Sequence, residues 1–257
     1  MKEIKVFVNN LDDVFKRKLT DIIHNFDTYE GGTGERNTIK IIKEKDFNLN
    51  IKAFKKPNFI NKIVYKYFRK SKAQRSFEYA NKLLEMGVGT PKPIAYFENT
   101  NFFLFNRSFY VSEHLEYDLT YRELITDFNY PDHEIILRAF TRFTFQLHEN
   151  GINFLDHSPG NTLVKKVGKE YEFYLVDLNR MNFGFMDFET RVKNFAKLAT
   201  DKSMIEIMSD EYAKCTGEDY NSIFNLMWAS TQEFQDKYYK KIRFKQTMKF
   251  WKRKSKL

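Results

Sequence analysis

Cysteine is almost missing from this chain: Cys215 is the single thiol in 257 residues. That excludes an intramolecular disulfide and suits a reducing compartment. Proline and glycine are scarce as well, five and ten residues, and no Pro/Gly/Ser-rich linker or internal repeat divides the sequence. No stretch approaches the roughly 20 apolar residues of a membrane span. The start, Met1-Lys2-Glu3-Ile4-Lys5-Val6-Phe7, has no apolar segment long enough for a signal peptide, so a location inside the cell is expected. The five histidines show neither H-E-x-x-H nor a Cys/His ligand spacing, which argues against zinc. Acidic residues stop at Asp236.

What is present is apolar and basic. A 42% hydrophobic and 17% aromatic composition can bury a substantial core in one compact fold. The net charge of +9 is unevenly placed. Between Lys52 and Arg75 seven further basic residues occur before any acid, interleaved with Phe54, Phe59, Ile60, Tyr65, Tyr67 and Phe68. Beyond Asp236, Lys and Arg accompany Phe244, Phe250 and Trp251. Such segments fit an anionic membrane surface, where each Lys or Arg contributes about 1 kcal/mol and aromatics deepen the contact. A solvated face is the alternative. Nucleic acid fits less well, because no RNA- or DNA-reading module is evident.

Chemistry concentrates in Asp156-His157-Ser158-Pro159-Gly160-Asn161 and in Val176-Asp177-Leu178-Asn179-Arg180. Phosphoryl transfer to a hydroxyl needs a carboxylate that orients and deprotonates the acceptor, and oxygen ligands for magnesium on the nucleotide phosphates. Asp156 suits the first role; Asn161 and Asp177 suit the second. Thr162 to Lys166 and Tyr171 to Val176 flank Val167-Gly168-Lys169-Glu170 and predict a β-hairpin. A hairpin returns its ends to one place, so Asn161 and Asp177 are expected side by side.

Upstream, Gly31, Gly32 and Gly34 precede the strand-like Thr38-Ile39-Lys40-Ile41-Ile42, and glycines admit phosphate oxygens close to backbone amides. The alternating run Phe47 to Phe54 places Lys52 on the face opposite Ile51, where it would neutralise nucleotide phosphates. Lys55 and Lys56 lie nearby as competitors. Arg75 to Gly87 has helical spacing; Glu78 is the candidate ion-pair partner of Lys52, with Glu85 as the alternative. Phe109 to Leu115 is the expected last strand of the sheet running into a linker. Glu113 and Leu115 are positional candidates there for gripping adenine through backbone groups. Glu134 to Leu147 is apolar on most sides, as a buried helix requires.

These residues, from Ile51-Lys52 through Glu78 and Asp156 to Arg180, resemble those of the protein-kinase-like superfamily, and most closely the lipopolysaccharide kinase family that includes the Kdo kinases. The resemblance implies an α+β, two-lobed fold: a β-rich N-lobe at about 28–115, a mainly helical C-lobe at about 116–236 and a basic segment at 237–257. It implies use of ATP and Mg2+, and a lipid-linked anionic sugar of the lipopolysaccharide inner core as acceptor. It also implies a site on the inner face of the inner membrane of a Gram-negative bacterium. Phe154 stands where the family usually has a loop-organising histidine two residues before the catalytic Asp, and Asp177-Leu178-Asn179 replaces Asp-Phe-Gly. Two alternatives stay open: a protein Ser/Thr, choline- or aminoglycoside-type kinase, and a catalytically silent kinase-like binding protein.

Overall fold

A computed structural model of the chain describes residues 2–30, 32–33, 37–100 and 104–254, with side chains described as far as residue 248. Two compact units emerge, one of Met1–Asp118 with Tyr174–Met181, the other of Leu119–Phe173 with Asn182–Leu257.

The first unit begins with β1 (Lys2–Phe7) and α1 (Asp13–His24), followed by β2 (Gly32–Thr33), β3 (Asn37–Lys43) and β4 (Asn48–Phe54). After these come α2 (Phe59–Tyr67), α3 (Lys72–Glu85), β5 (Pro93–Thr100) and β6 (Phe105–Glu113). The strands make one six-stranded sheet in the order β1-β5-β6-β4-β3-β2. Burial alternates along β4: Leu49, Ile51 and Ala53 pack with Leu19, Ile22 and Phe26 against one sheet face, leaving Lys52 on the other. Helices α2 and α3 are both capped by local chemistry. Asn58 Oδ1 accepts from Asn61 N at 2.9 Å and Ser71 Oγ from Gln74 N at 3.0 Å. The sheet extends further toward the N-terminus than the sequence pattern suggests. β1 pairs antiparallel with β5, and α1 covers the core face. Lys2-Glu3-Ile4-Lys5 carries little apolar signal because β1 is a short strand with much of its surface in solvent.

The second unit contains β7 (Leu119–Thr120), α4 (Arg122–Thr126), α5 (His133–Glu149), β8 (Ile152–Phe154) and β9 (Thr162–Val167). The chain leaves it through β10 (Glu170–Leu175) and returns through β11 (Met181–Phe183), then forms α6 (Phe188–Lys193), α7 (Lys202–Thr216) and α8 (Tyr220–Lys254). Gly168, at φ 63°, turns the β9–β10 hairpin in a conformation that favours glycine. Ile136, Leu137 and Phe140 of α5 pack with Met204, Ile205, Met208 and Tyr212 of α7 and with Ile223 and Met227 of α8. Of the basic segment expected at 237–257, the residues as far as Lys254 belong to α8, whose residues beyond Gln235 are exposed as far as Met248, apart from the half-buried Ile242.

Candidate active site

In the first unit, Lys52 Nζ donates to Asp177 Oδ1 at 2.7 Å. Asn179 Nδ2 donates to the same oxygen at 2.6 Å. Asp177 adopts φ 59°, a left-handed conformation that aspartate tolerates better than most residues. Three further bonds fasten the segment carrying it. Leu175 N donates to Gly89 O at 2.9 Å, Thr90 Oγ1 to Leu175 O at 2.8 Å, and Arg75 Nη1 to Asn179 O at 2.6 Å. Burial of the Arg75 guanidinium lowers its pKa from the ordinary value, and a buried cation on a carbonyl is a strong tether.

Helix α3 therefore reaches the Asp177 turn through Arg75, and the expected Glu78–Lys52 pair is not formed. The Glu78 carboxylate accepts from Lys70 at 2.8 and 2.9 Å and from Gln74 at 2.9 Å. Arg75 and Glu78 lie three residues apart on α3, and the ammonium of Lys70 takes the Glu78 carboxylate while Asp177 takes Lys52. Gly32 pairs with Ile39 in the sheet, with open space where a Cβ would stand; Gly31 and Gly34 lie outside the described residues. Glu113 ends β6, its N–H donating to Lys92 O at 2.9 Å, and Leu115 follows half-buried in the linker.

In the second unit, Asp156 sits in a turn after β8, half-buried. The five-residue spacing to Asn161 has a local cause: a short 3-10 turn at Pro159–Asn161 folds back, and Asn161 Nδ2 donates to Asp156 O at 2.8 Å. Two residues that sequence patterns did not single out reach the same loop. Asn194 Nδ2 donates to Phe154 O at 3.1 Å and to Asn153 Oδ1 at 3.2 Å, and Lys197 Nζ donates to Leu155 O at 2.7 Å. The segment after α6 gave no signal for this, since one amide and one lysine among polar residues look like solvated surface. Phe154 is fully buried, and the ring of His157 lies 5.7 Å from it and 5.4 Å from Phe140. Burial depresses the His157 pKa to about 3 and that of His148 to about 4, so both are neutral at physiological pH.

Arg122 flanks the loop from α4. A Cβ at Gly160 would lie 2.5 Å from its Nη2, so the glycine makes room for the exposed guanidinium.

The fold is protein-kinase-like, a class of enzyme that uses ATP. Residues 26–223 match the lipopolysaccharide kinase (Kdo/WaaP) family. The chain belongs to that family and is an ATP-dependent kinase. Among solved structures it is similar to WaaP in complex with acyl carrier protein, at 16% identity and a TM-score of 0.60, over 92% of this chain and 99% of that one. It is also similar to a MAP kinase from Leishmania major, at 15% identity and a TM-score of 0.47, over 84% of this chain and 66% of that one. No curated protein matches. Among the described residues no helix is long and apolar enough to cross a membrane.

Proposed function

We propose that this kinase phosphorylates a hydroxyl of Kdo in the lipopolysaccharide inner core, with Asp156 as general base. The observation that carries the reading is the Lys52–Asp177 pair at 2.7 Å, which sets the strand lysine beside the acid after the hairpin, the two side-chain types that in kinases meet the nucleotide phosphates and their magnesium. Asp156 would accept the acceptor hydroxyl proton. Lys52 would neutralise nucleotide phosphates, Gly32 would offer backbone to them, and Glu113 and Leu115 would border adenine. The donor chemistry fits magnesium: Asp177 offers a carboxylate, and Asn161, its Nδ2 committed to Asp156 O, presents Oδ1. Bound there, Mg2+ would offset phosphate charge.

Three surfaces support an anionic, lipid-linked acceptor. The Arg122 guanidinium lies beside the Asp156 loop. Helix α2 buries none of its residues and, with the residue after it, exposes Phe59, Ile60, Tyr67 and Phe68 among Lys62, Lys66, Arg69 and Lys70. The outer half of α8 exposes Tyr238, Tyr239 and Phe244 in a basic sequence. Aromatics interleaved with cations, as in each of the two helices, suit the cytoplasmic face of an anionic bilayer.

The test offers ATP, magnesium and lipid A carrying Kdo beside protein acceptors and aminoglycosides, with products read by mass spectrometry. Phosphorylated Kdo is expected, slowed by about 10²- to 10⁴-fold in Asp156→Asn, the usual worth of a positioned acid–base group. Phosphate on the other acceptors only, or an Asp156→Asn variant as fast as the native chain, overturns the reading. Cosedimentation with anionic but not neutral vesicles is the expected sign of peripheral attachment.

A further inference from the structure

Three consecutive backbone carbonyls enter the candidate catalytic position, and a different side chain binds each. Phe154 O accepts from Asn194, Leu155 O from Lys197 and Asp156 O from Asn161. Beside these bonds a pocket of about 260 Å³, open to solvent, lies between the loop and the segment after α6, lined by Asn153, Leu155, His157, Thr190, Asn194 and Lys197 among others.

The network behind Asn194 has one proton arrangement. Phe154 O is only an acceptor, so the Asn194 amide must point its Nδ2 at the loop. Its Oδ1 then faces His157 Nδ1 at 3.0 Å and His148 Nε2 at 3.3 Å, and both ring nitrogens must donate. His148 Nδ1, left as an acceptor, takes the Tyr212 hydroxyl proton at 2.9 Å. Every polar atom of Asn194 is thereby used, and its orientation is fixed from α5, α7 and the loop at once.

We propose that Asn194 and Lys197 are positioning residues that set the direction of the Asp156 carboxylate by tying the two carbonyls before it, with the His148–His157 pair locking Asn194 in place. The inference rests on Asp156 being the base. A carbonyl released into the cavity frees the backbone on which Asp156 stands, and a shift of about 1 Å in a reacting group costs roughly 10²-fold in rate.

The variants are Asn194→Asp, which keeps shape but turns the donor into an acceptor, Lys197→Met, and Lys197→Arg, which retains a donor. Turnover is measured at a temperature where each is fully folded by circular dichroism, using ATP and whichever acceptor of the panel above the native chain phosphorylates. Asn194→Asp should lower kcat by about 10²-fold and Lys197→Met by about 10-fold, with the KM for ATP unchanged and Lys197→Arg largely restored. In an Asp156→Asn background the same changes should cost less than about twofold, because they act through Asp156. Amide exchange at residues 154–157 should quicken in Asn194→Asp without change in α5. Fully folded variants with native kcat overturn the proposal, as do losses of equal size in both backgrounds. If Asp156→Asn itself retains turnover, it is the assignment of the base that fails. If no acceptor of the panel is used, exchange decides, and unchanged protection at 154–157 overturns it.

Discussion

Acidification tests the buried histidine pair directly. His148 and His157 are both almost inaccessible to solvent. Burial is the main cause of their low pKa, with Arg191 adding to the effect on His148, and His148 and Lys197 adding to the effect on His157. The Asn194 oxygen offsets only part of this. Folded values of about 4 and 3 lie below the ordinary 6.5 that applies when the chain is unfolded. The unfolded chain therefore binds more protons, and stability is fully present above pH 6.5 and is lost as pH falls below it. A pH of 5 lies about 1.5 units under the unfolded value of each histidine and above both folded values, which at about 1.36 kcal/mol per unit removes about 2 kcal/mol for each. The pair together removes about 4 kcal/mol, a large share of a typical domain's roughly 5–15 kcal/mol. Urea unfolding followed by tryptophan fluorescence at pH 7.5 and pH 5 measures the loss. A His148→Gln, His157→Gln variant should start from lower stability at pH 7.5 but lack that slope. Equal slopes in the two proteins would refute the reasoning, as would an imidazole resonance of either residue titrating near 6.5 in the folded state.

Asp177→Asn should reduce turnover by at least about 10²-fold through loss of charge at the phosphates while keeping the φ 59° turn. Lys52→Met should do the same, and Lys55→Met or Lys56→Met should leave turnover near native. Glu98 is buried on β5, and burial raises its pKa despite a hydrogen bond from Ser71. Its ionisation thus costs stability as pH rises above the ordinary value of 4.5, so Glu98→Gln should raise the urea midpoint at pH 7 and leave it little changed at pH 4. Arg122→Gln should raise the KM for lipid A carrying Kdo by about tenfold, the worth of one charge-assisted hydrogen bond, with the KM for ATP unaffected. Gly160→Ala, which displaces the same guanidinium, should act in the same direction and add nothing to Arg122→Gln; independent, additive losses would show that Arg122 does not meet the acceptor.

Local physics explains which parts of this molecule could be read from its residues. The β9–β10 hairpin and the alternation of β4 depend on period-two burial and on a glycine with positive φ, both visible within a few residues. The Asp156–Asn161 spacing is equally local, since it is closed by one side chain bonding back across a short turn. Long-range geometry was not legible in the same way. Arg75 and Glu78 lie three residues apart on one face of α3, and periodicity cannot say which of them meets the Asp177 turn. The tie from Asn194 to Phe154 O spans 40 residues, and the histidine behind it comes from α5. Composition around Asn194 carries no trace of either. β1 escaped notice because an edge strand needs little apolar patterning to pair.

Helix α8 runs 35 residues, about 50 Å at 1.5 Å per residue. Glu233 bonds Lys237 one turn on, and from there Lys237, Lys241, Lys245, Lys249 and Arg253 follow at four-residue intervals. Like charges at this spacing each oppose the helix by about 0.2–0.5 kcal/mol, so the two pairs among Lys237, Lys241 and Lys245 together cost about 0.4–1 kcal/mol. Added salt screens that repulsion over a Debye length of about 8 Å at physiological ionic strength. The far end of α8 thus behaves as a short polyelectrolyte: rising ionic strength firms its helix and weakens its pull on a negative surface. A negative surface laid along the row would neutralise the same charges locally, so binding one would firm the helix end.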